Sequence, residues 1–201
     1  MTKSRLIRLA TLAGTIAPIV FAVIVLGLTL AEANFMRSIG WEPFGNVLDW
    51  PSGLAMGPYG WLMTINFFVC GAMMAFFAYG LKLALQDKLA TTLMMLAGFA
   101  MMGLIFTTDP TRRTYPKTWH GFLHDSFFAA LGVMLMLGML LLGRVFQKNE
   151  QWKNLSIYTW VTLALVIPTF WLKGLAFYLF LLAILLWSEV IAVRLNRLQQ
   201  S

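Results

Sequence analysis

Both histidines of the chain, His120 and His124, stand four residues apart. On a helix that spacing stacks the two rings on one face, one turn apart, and it is a spacing at which two imidazoles clasp one metal ion. Catalytic zinc takes three protein ligands and a water, so the pair needs one more donor. Asp109 is expected to supply it, because the intervening stretch holds Pro110 and Pro116 and can fold back. The metal would lower the pKa of its bound water toward neutrality. Asp125 lies roughly 100° around the helix from His124 and is expected to orient a histidine or take the proton from that water. Arg112, Arg113 and Lys117 would draw in an anionic head group. Haem fits the pair less well than zinc, since axial histidines approach from opposite faces and these share one. Two plainer readings stand beside the metal. The histidines could hydrogen-bond loop carbonyls, and the basic residues could touch lipid phosphates. With Asn66, the same cluster could also bind a ligand or relay a proton without catalysis.

The elements that must hold these residues are apolar. Of 201 residues, 60% are hydrophobic and 11% charged, and the mean hydropathy is +0.76. A soluble domain carries about 25% charged residues. The chain is therefore read as one all-α membrane domain over residues 1–201, a bundle of six transmembrane helices. The spans are expected at about 11–31, 59–85, 90–106, 119–142, 157–171 and 175–193, each near the ~20 residues that cross a bilayer. Lys3, Arg5 and Arg8 precede the first run, which is too long for a signal-peptide core and has no clear cleavage site after it. Pro18 and Pro168 are expected to kink the helices that contain them. The short connection Trp171-Leu172-Lys173-Gly174 makes the last two helices antiparallel neighbours.

Basic residues set the topology. With the N-terminus cytoplasmic, ten of them fall on that side, from Lys3 to Arg197, and five on the other: Arg37, Arg112, Arg113, Lys117 and Lys173. Both termini are thus expected in the cytoplasm, in a bacterial inner membrane, with lipid as the partner; the net charge of +7 is a topological signal and no sign of nucleic-acid binding. Residues 32–58 are rich in Pro, Gly and Trp and read as an interfacial loop, or else as a lid over the outer helix ends. Asn66, inside the second span, needs partners in hydrocarbon. Glu189 is expected to pair with Arg194. A lone cysteine, Cys70, excludes any disulfide within the chain. No phosphate-binding glycine loop or nucleophile elbow is present.

The run Gly57-Pro58-Tyr59-Gly60-Trp61 leading to Asn66-Phe67 resembles a bacterial and archaeal membrane family known as domain of unknown function 998. So do Phe106-Thr107-Thr108-Asp109-Pro110 and Thr118-Trp119-His120-Gly121-Phe122-Leu123-His124. The resemblance covers nearly the whole chain and implies an integral membrane protein whose polar motif residues are Asp109, His120 and His124. It implies no reaction. A looser similarity, to the alkaline ceramidases and adiponectin-type receptors, would imply zinc-dependent hydrolysis. Those proteins have seven spans and three histidine ligands, whereas this chain has two histidines, so Asp109 would have to stand in for the third.

Overall fold

The computed structural model describes residues 2–40, 51–109, 116–172 and 175–200. Among them there are helices and no strands: α1 (Lys3–Ala31), α2 (Ala33–Ser38), α3 (Gly60–Leu85), α4 (Leu89–Met102), α5 (Trp119–Gln147), α6 (Lys153–Trp171) and α7 (Leu175–Gln200), with 3-10 turns at Pro51–Met56 and Gly103–Ile105. Four of the helices, α1, α3, α5 and α7, are long and apolar enough to cross a membrane. The apolar stretch Leu89–Ile105 is shorter, and α6 has 19 residues.

The surface identifies the solvent. Ile16, Val23 and Leu30 of α1, Val161 and Leu165 of α6, and Leu179, Leu182 and Leu186 of α7 are all exposed. They recur every three to four residues, so each helix turns a continuous apolar stripe outward. Water does not tolerate apolar patches on that scale, and lipid does. The protein is a membrane protein.

The long helices form a closed antiparallel ring. Each packs on its neighbour in the chain, and α7 returns to pack on α1. The pairs run in opposite directions: along α1, Ala10, Gly14 and Phe21 meet Gly80, Phe77 and Phe67 of α3. At the other junctions Gly138 and Gly103 meet Met94 and Phe127, and the Tyr178 and Thr29 hydroxyls bond at 2.8 Å across α7 and α1. The last two helices are antiparallel neighbours as the short connection requires, with Phe170 against Phe180. Both termini therefore lie at one end of the ring, called here the terminal end. The other is the far end. Pro18 and Pro168 lie inside α1 and α6 as expected.

Three apolar clusters fill the ring. Phe146, Trp152 and Trp187 belong to the one at the terminal end, and Phe21, Met63 and Phe67 to one nearer the far end. A third joins Val166, Phe170, Phe177 and Phe180. Between them lies a cavity of about 130 Å³ whose walls come from all six long helices. Pro51 and Ser52, from the 3-10 turn, reach its lining as well. That turn is a plug: Pro51, Gly53, Leu54 and Ala55 are buried. Of residues 32–58, read as an interfacial loop or a lid, the described part packs inward on α1 and α3. Trp41, Asp49 and Trp50 lie outside the described residues.

Helices α3 and α4 approach backbone to backbone at Gly71 and Gly98. A Cβ added at Gly98 would stand 2.6 Å from the Ala75 nitrogen and 2.7 Å from the Gly71 carbonyl oxygen, both rigid backbone. Gly98→Ala is therefore expected to destabilise the protein by about 1–3 kcal/mol, the usual cost of overpacking. Gly27→Ala meets nothing within 4 Å and is expected to be neutral or stabilising by up to ~1 kcal/mol through helix propensity. Thermal unfolding of the two variants in detergent checks the contrast.

Candidate functional site at the far end of the ring

The site begins where α4 stops. A helix end leaves carbonyls without partners, and the 3-10 turn Gly103–Ile105 followed by extended Phe106 leaves two such groups in succession. The imidazoles of α5 take them. His124 Nδ1 lies 2.6 Å from the Phe106 carbonyl oxygen, and His120 Nδ1 lies 2.9 Å from that of Thr107. A carbonyl only accepts, so both Nδ1 atoms carry the proton in the neutral rings. Both Nε2 atoms are left with a bare lone pair. The plain reading of the histidines, as partners of loop carbonyls, is correct for one nitrogen of each ring.

Thr118 starts α5. Its hydroxyl oxygen accepts from the Gly121 N–H at 3.2 Å, the usual helix cap. The same hydroxyl donates to Asp109 Oδ1, and the Thr118 N–H donates to Asp109 Oδ2 at 3.1 Å. His120 Nδ1 is also 3.1 Å from it. The Asp109 carboxyl lies directly over Gly121, where any side chain would collide with it. Thr118 thus clasps the entry to α5 to the exit of α4.

This placement differs from the expected zinc triad. Asp109 spends both oxygens on Thr118, and the two rings spend Nδ1 on carbonyls. Among the described residues, no three His, Cys, Asp or Glu side chains gather as an ion would require. Asp125 pairs with Lys117, so the residue expected to take a proton and the one expected to attract an anion neutralise each other. Arg112 and Arg113 lie outside the described residues.

Two expected site residues, on different helices, are buried next to residues that line the cavity. His124 is 1% exposed, and its ring meets Phe67 edge-on, centroids 6.4 Å apart. Phe67 lines the cavity. The His124 Nε2 is buried and has no hydrogen-bond partner among the described residues. Asn66, the residue before Phe67, is also buried. Its Oδ1 accepts from the Cys70 thiol at 3.2 Å, while its Nδ2 has only the Met63 sulfur, 4.0 Å away. Two polar side chains thus stand under-satisfied beside an apolar chamber.

Glu32 belongs to the same end and was not anticipated from the sequence. It terminates α1 and is 2% exposed. Its Oε1 accepts from the Tyr59 N–H at 2.6 Å, while Oε2 is buried without a partner. Gly57 lies against the carboxyl so closely that a Cβ would collide with it. The available signals were a lone acid immediately after an apolar run and an unexplained Gly-Pro pair at residues 57 and 58. Burial pushes the Glu32 carboxyl above the ordinary carboxylate range, and the Tyr59 bond pulls it part of the way back. At the terminal end, Glu189 does not pair with Arg194. The Arg194 Nε donates to the Gln151 carbonyl at 2.9 Å, and Glu189 Oε2 has no partner.

The sequence profile of the family described as Protein of unknown function (DUF998) matches residues 16–194. No curated protein matches, so the looser similarity to alkaline ceramidases and adiponectin-type receptors gains no support. No solved structure matches.

Two outcomes are expected. Thr118→Ala removes the cap and the hydroxyl half of the Asp109 clasp and should cost about 1–2 kcal/mol, read as a lowered Tm. The folded state raises the Glu32 pKa, so the folded protein holds this proton more tightly than the unfolded chain. That contribution is complete below the ordinary carboxylate pKa and is lost as pH rises through the elevated folded value. Stability should therefore fall over that window, and Glu32→Gln should flatten the dependence; thermal melts across a pH series measure both.

Proposed function

The chain belongs to the DUF998 family, whose function is unknown, and from that premise we propose that it is a six-span membrane protein that binds an uncharged amphiphile. The amphiphile places its apolar portion in the central cavity and donates a hydroxyl proton to His124 Nε2, with Asn66 as a second polar contact. The observation that carries this reading is the sealed, unpartnered Nε2 behind a wall of that cavity. A buried acceptor left unsatisfied costs about 1–3 kcal/mol. A ligand hydroxyl recovers that energy, and an apolar cavity holds no water to compete for the site.

The closed antiparallel ring supports a count of six spans. Alternating helices leave α4 and α6 to connect opposite ends, and they are flanked on both sides by helices that cross. Both termini are assigned to the cytoplasmic side of the cell membrane, because Lys3, Arg5, Arg8, Lys82, Lys88, Arg144, Lys148, Lys153, Arg194 and Arg197 share the terminal end. The ligand site then opens toward the outer face.

A second reading, a zinc-dependent hydrolase, has one observation in its favour. Imidazoles that hold a metal commonly donate their other N–H to a carbonyl, and both histidines do so here. Asp109 would have to leave Thr118 to complete the ligand set. Asp125 and Lys117 would have to separate to serve a reaction, and Arg112 and Arg113 would supply the remaining positive charge.

Thermal unfolding in detergent separates the two readings. A short-chain alcohol small enough for a cavity of about 130 Å³, at ~100 times its Kd, is expected to raise the Tm by about 5–10 °C. His124→Asn keeps a donor for the Phe106 carbonyl and removes Nε2, and should lose most of that shift. If zinc stabilises the protein instead, and His120→Asn and His124→Asn both abolish its effect, the hydrolase reading replaces this one. If neither ligand shifts the Tm, the amphiphile proposal is wrong.

A further inference from the structure

The central cavity has a plug and the plug has a latch. The 3-10 turn Pro51–Met56 packs on α1 and α3, with Leu54 fully buried and Pro51 and Ser52 in the cavity lining. Three residues after Leu54, Gly57 lies flush on the Glu32 carboxyl, and two residues further Tyr59 donates its backbone N–H to Glu32 Oε1. The plug is therefore tied to the end of α1 through one buried side chain. We propose that Glu32 is a proton-operated latch: neutral, it holds the plug in the cavity mouth, and ionised, it releases the plug and opens the cavity at the far end. This inference rests on the reading of the cavity as a ligand chamber, and it names how entry to that chamber is controlled.

The physical step is the loss of one proton. In the closed state the carboxyl is protonated, Oε1 accepts from Tyr59, and Oε2 is sealed from water. A neutral carboxyl without a partner is tolerable in such a place, whereas an unpaired carboxylate is not. When the proton leaves to water, no cation among the described residues is paired with Glu32 to replace it. Arg37, on the short helix that follows, bonds to Asn34 at 3.4 Å. From the start of α3, Tyr59 offers only its backbone N–H, its ring being exposed. No charged residue stands in the plug itself. The ionised oxygen can be solvated only if Gly57 and the turn before it move away, and that movement withdraws Pro51 and Ser52 from the cavity. Glycine at position 57 is what allows the closed form, because any side chain would wedge the latch.

The chain carries its own reporter. Cys70, the single cysteine, lines the cavity and is 2% exposed. Its modification by N-ethylmaleimide therefore requires an opening of the ring, and the observed rate scales with the population of open molecules. Thiol ionisation also quickens the reaction with pH, so the informative quantity is the rate of the wild type divided by that of Glu32→Gln, in which the thiol is unchanged and the latch cannot ionise. That ratio is expected to be near one at about pH 5 and to reach about tenfold at about pH 9, following the opening of the wild type alone. Gly57→Ala, which props the latch, should be labelled rapidly at both pH values. A ratio that stays flat across the range overturns the latch, as does a Gly57→Ala protein labelled no faster than wild type. The measurement uses no amphiphile. A working latch with no ligand-induced stabilisation would sink the proposed ligand alone, and the converse result would sink the latch alone.

Discussion

Within lipid, a polar side chain has to find its partner in the protein. Many hydroxyls on the described helices do so at the shortest range available. Thr11, Thr29, Thr159, Thr162 and Thr169 each donate to the carbonyl four residues back on their own helix, and Ser126 does the same on α5. Ser156 reaches across to the Gly143 carbonyl, and the Trp187 indole N–H reaches the Thr159 hydroxyl. Against that background an unpartnered buried atom is an exception with an energetic cost. The described residues contain four: on Glu32, His124, Trp160 and Glu189. Two of the four lie at the far end of the ring, and they are the two on which the functional reading rests.

The far end is specialised because α4 ends early there. Its 14 residues and the 3-10 turn after it stop with carbonyls still unsatisfied. Those carbonyls draw in His120 and His124 and fix which nitrogen of each ring carries the proton. The neighbouring Asp109–Thr118 clasp fixes the angle at which α5 leaves. An element usually counted as irregular thus sets the tautomer of the residues with the most chemical capacity in the chain. The terminal end has no equivalent. There Asp87 caps α4 through the Ala90 N–H at 2.8 Å, and the helices carry basic residues in their last turns.

The all-helical architecture was legible because hydrophobic length is written directly in the sequence. Helix limits were less so. The spans expected at 11–31, 157–171 and 175–193 belong to helices that begin or end outside them, at Lys3, Lys153 and Gln200. Hydropathy reports where a helix leaves hydrocarbon, whereas the helix itself continues through its polar turns until its hydrogen bonds run out. The His-x-x-x-His pair and Asp109 were legible as a polar group in one place. Their expected convergence on a metal ion was not what the described side chains adopt, because spacing along a chain says nothing of two carbonyls freed by another helix. Glu32 was illegible for a related reason. Its burial depends on a plug 19 residues further along the chain, and only the fold brings Gly57 onto its carboxyl.

Fold and proposed chemistry are connected by a division of labour between the two ends. The inner core of the terminal end is well packed: Phe146 stacks on Trp152 at 4.9 Å, and the cluster around them contains Leu142, Ile191 and Leu195 at no more than 1% exposure. A region packed in that way has few alternative arrangements, and it serves as the fixed base of the ring. The far end holds the irregular turns, the unsatisfied carboxyl and the imidazole with a free nitrogen. Each of these makes the local structure less stable than it would be with apolar or paired residues. Regions of low local stability are where proteins open, so in the proposed reading opening begins at the far end. A chamber entered from that end, with a polar acceptor behind its wall and apolar sides below, is suited to capture or hold an amphiphile.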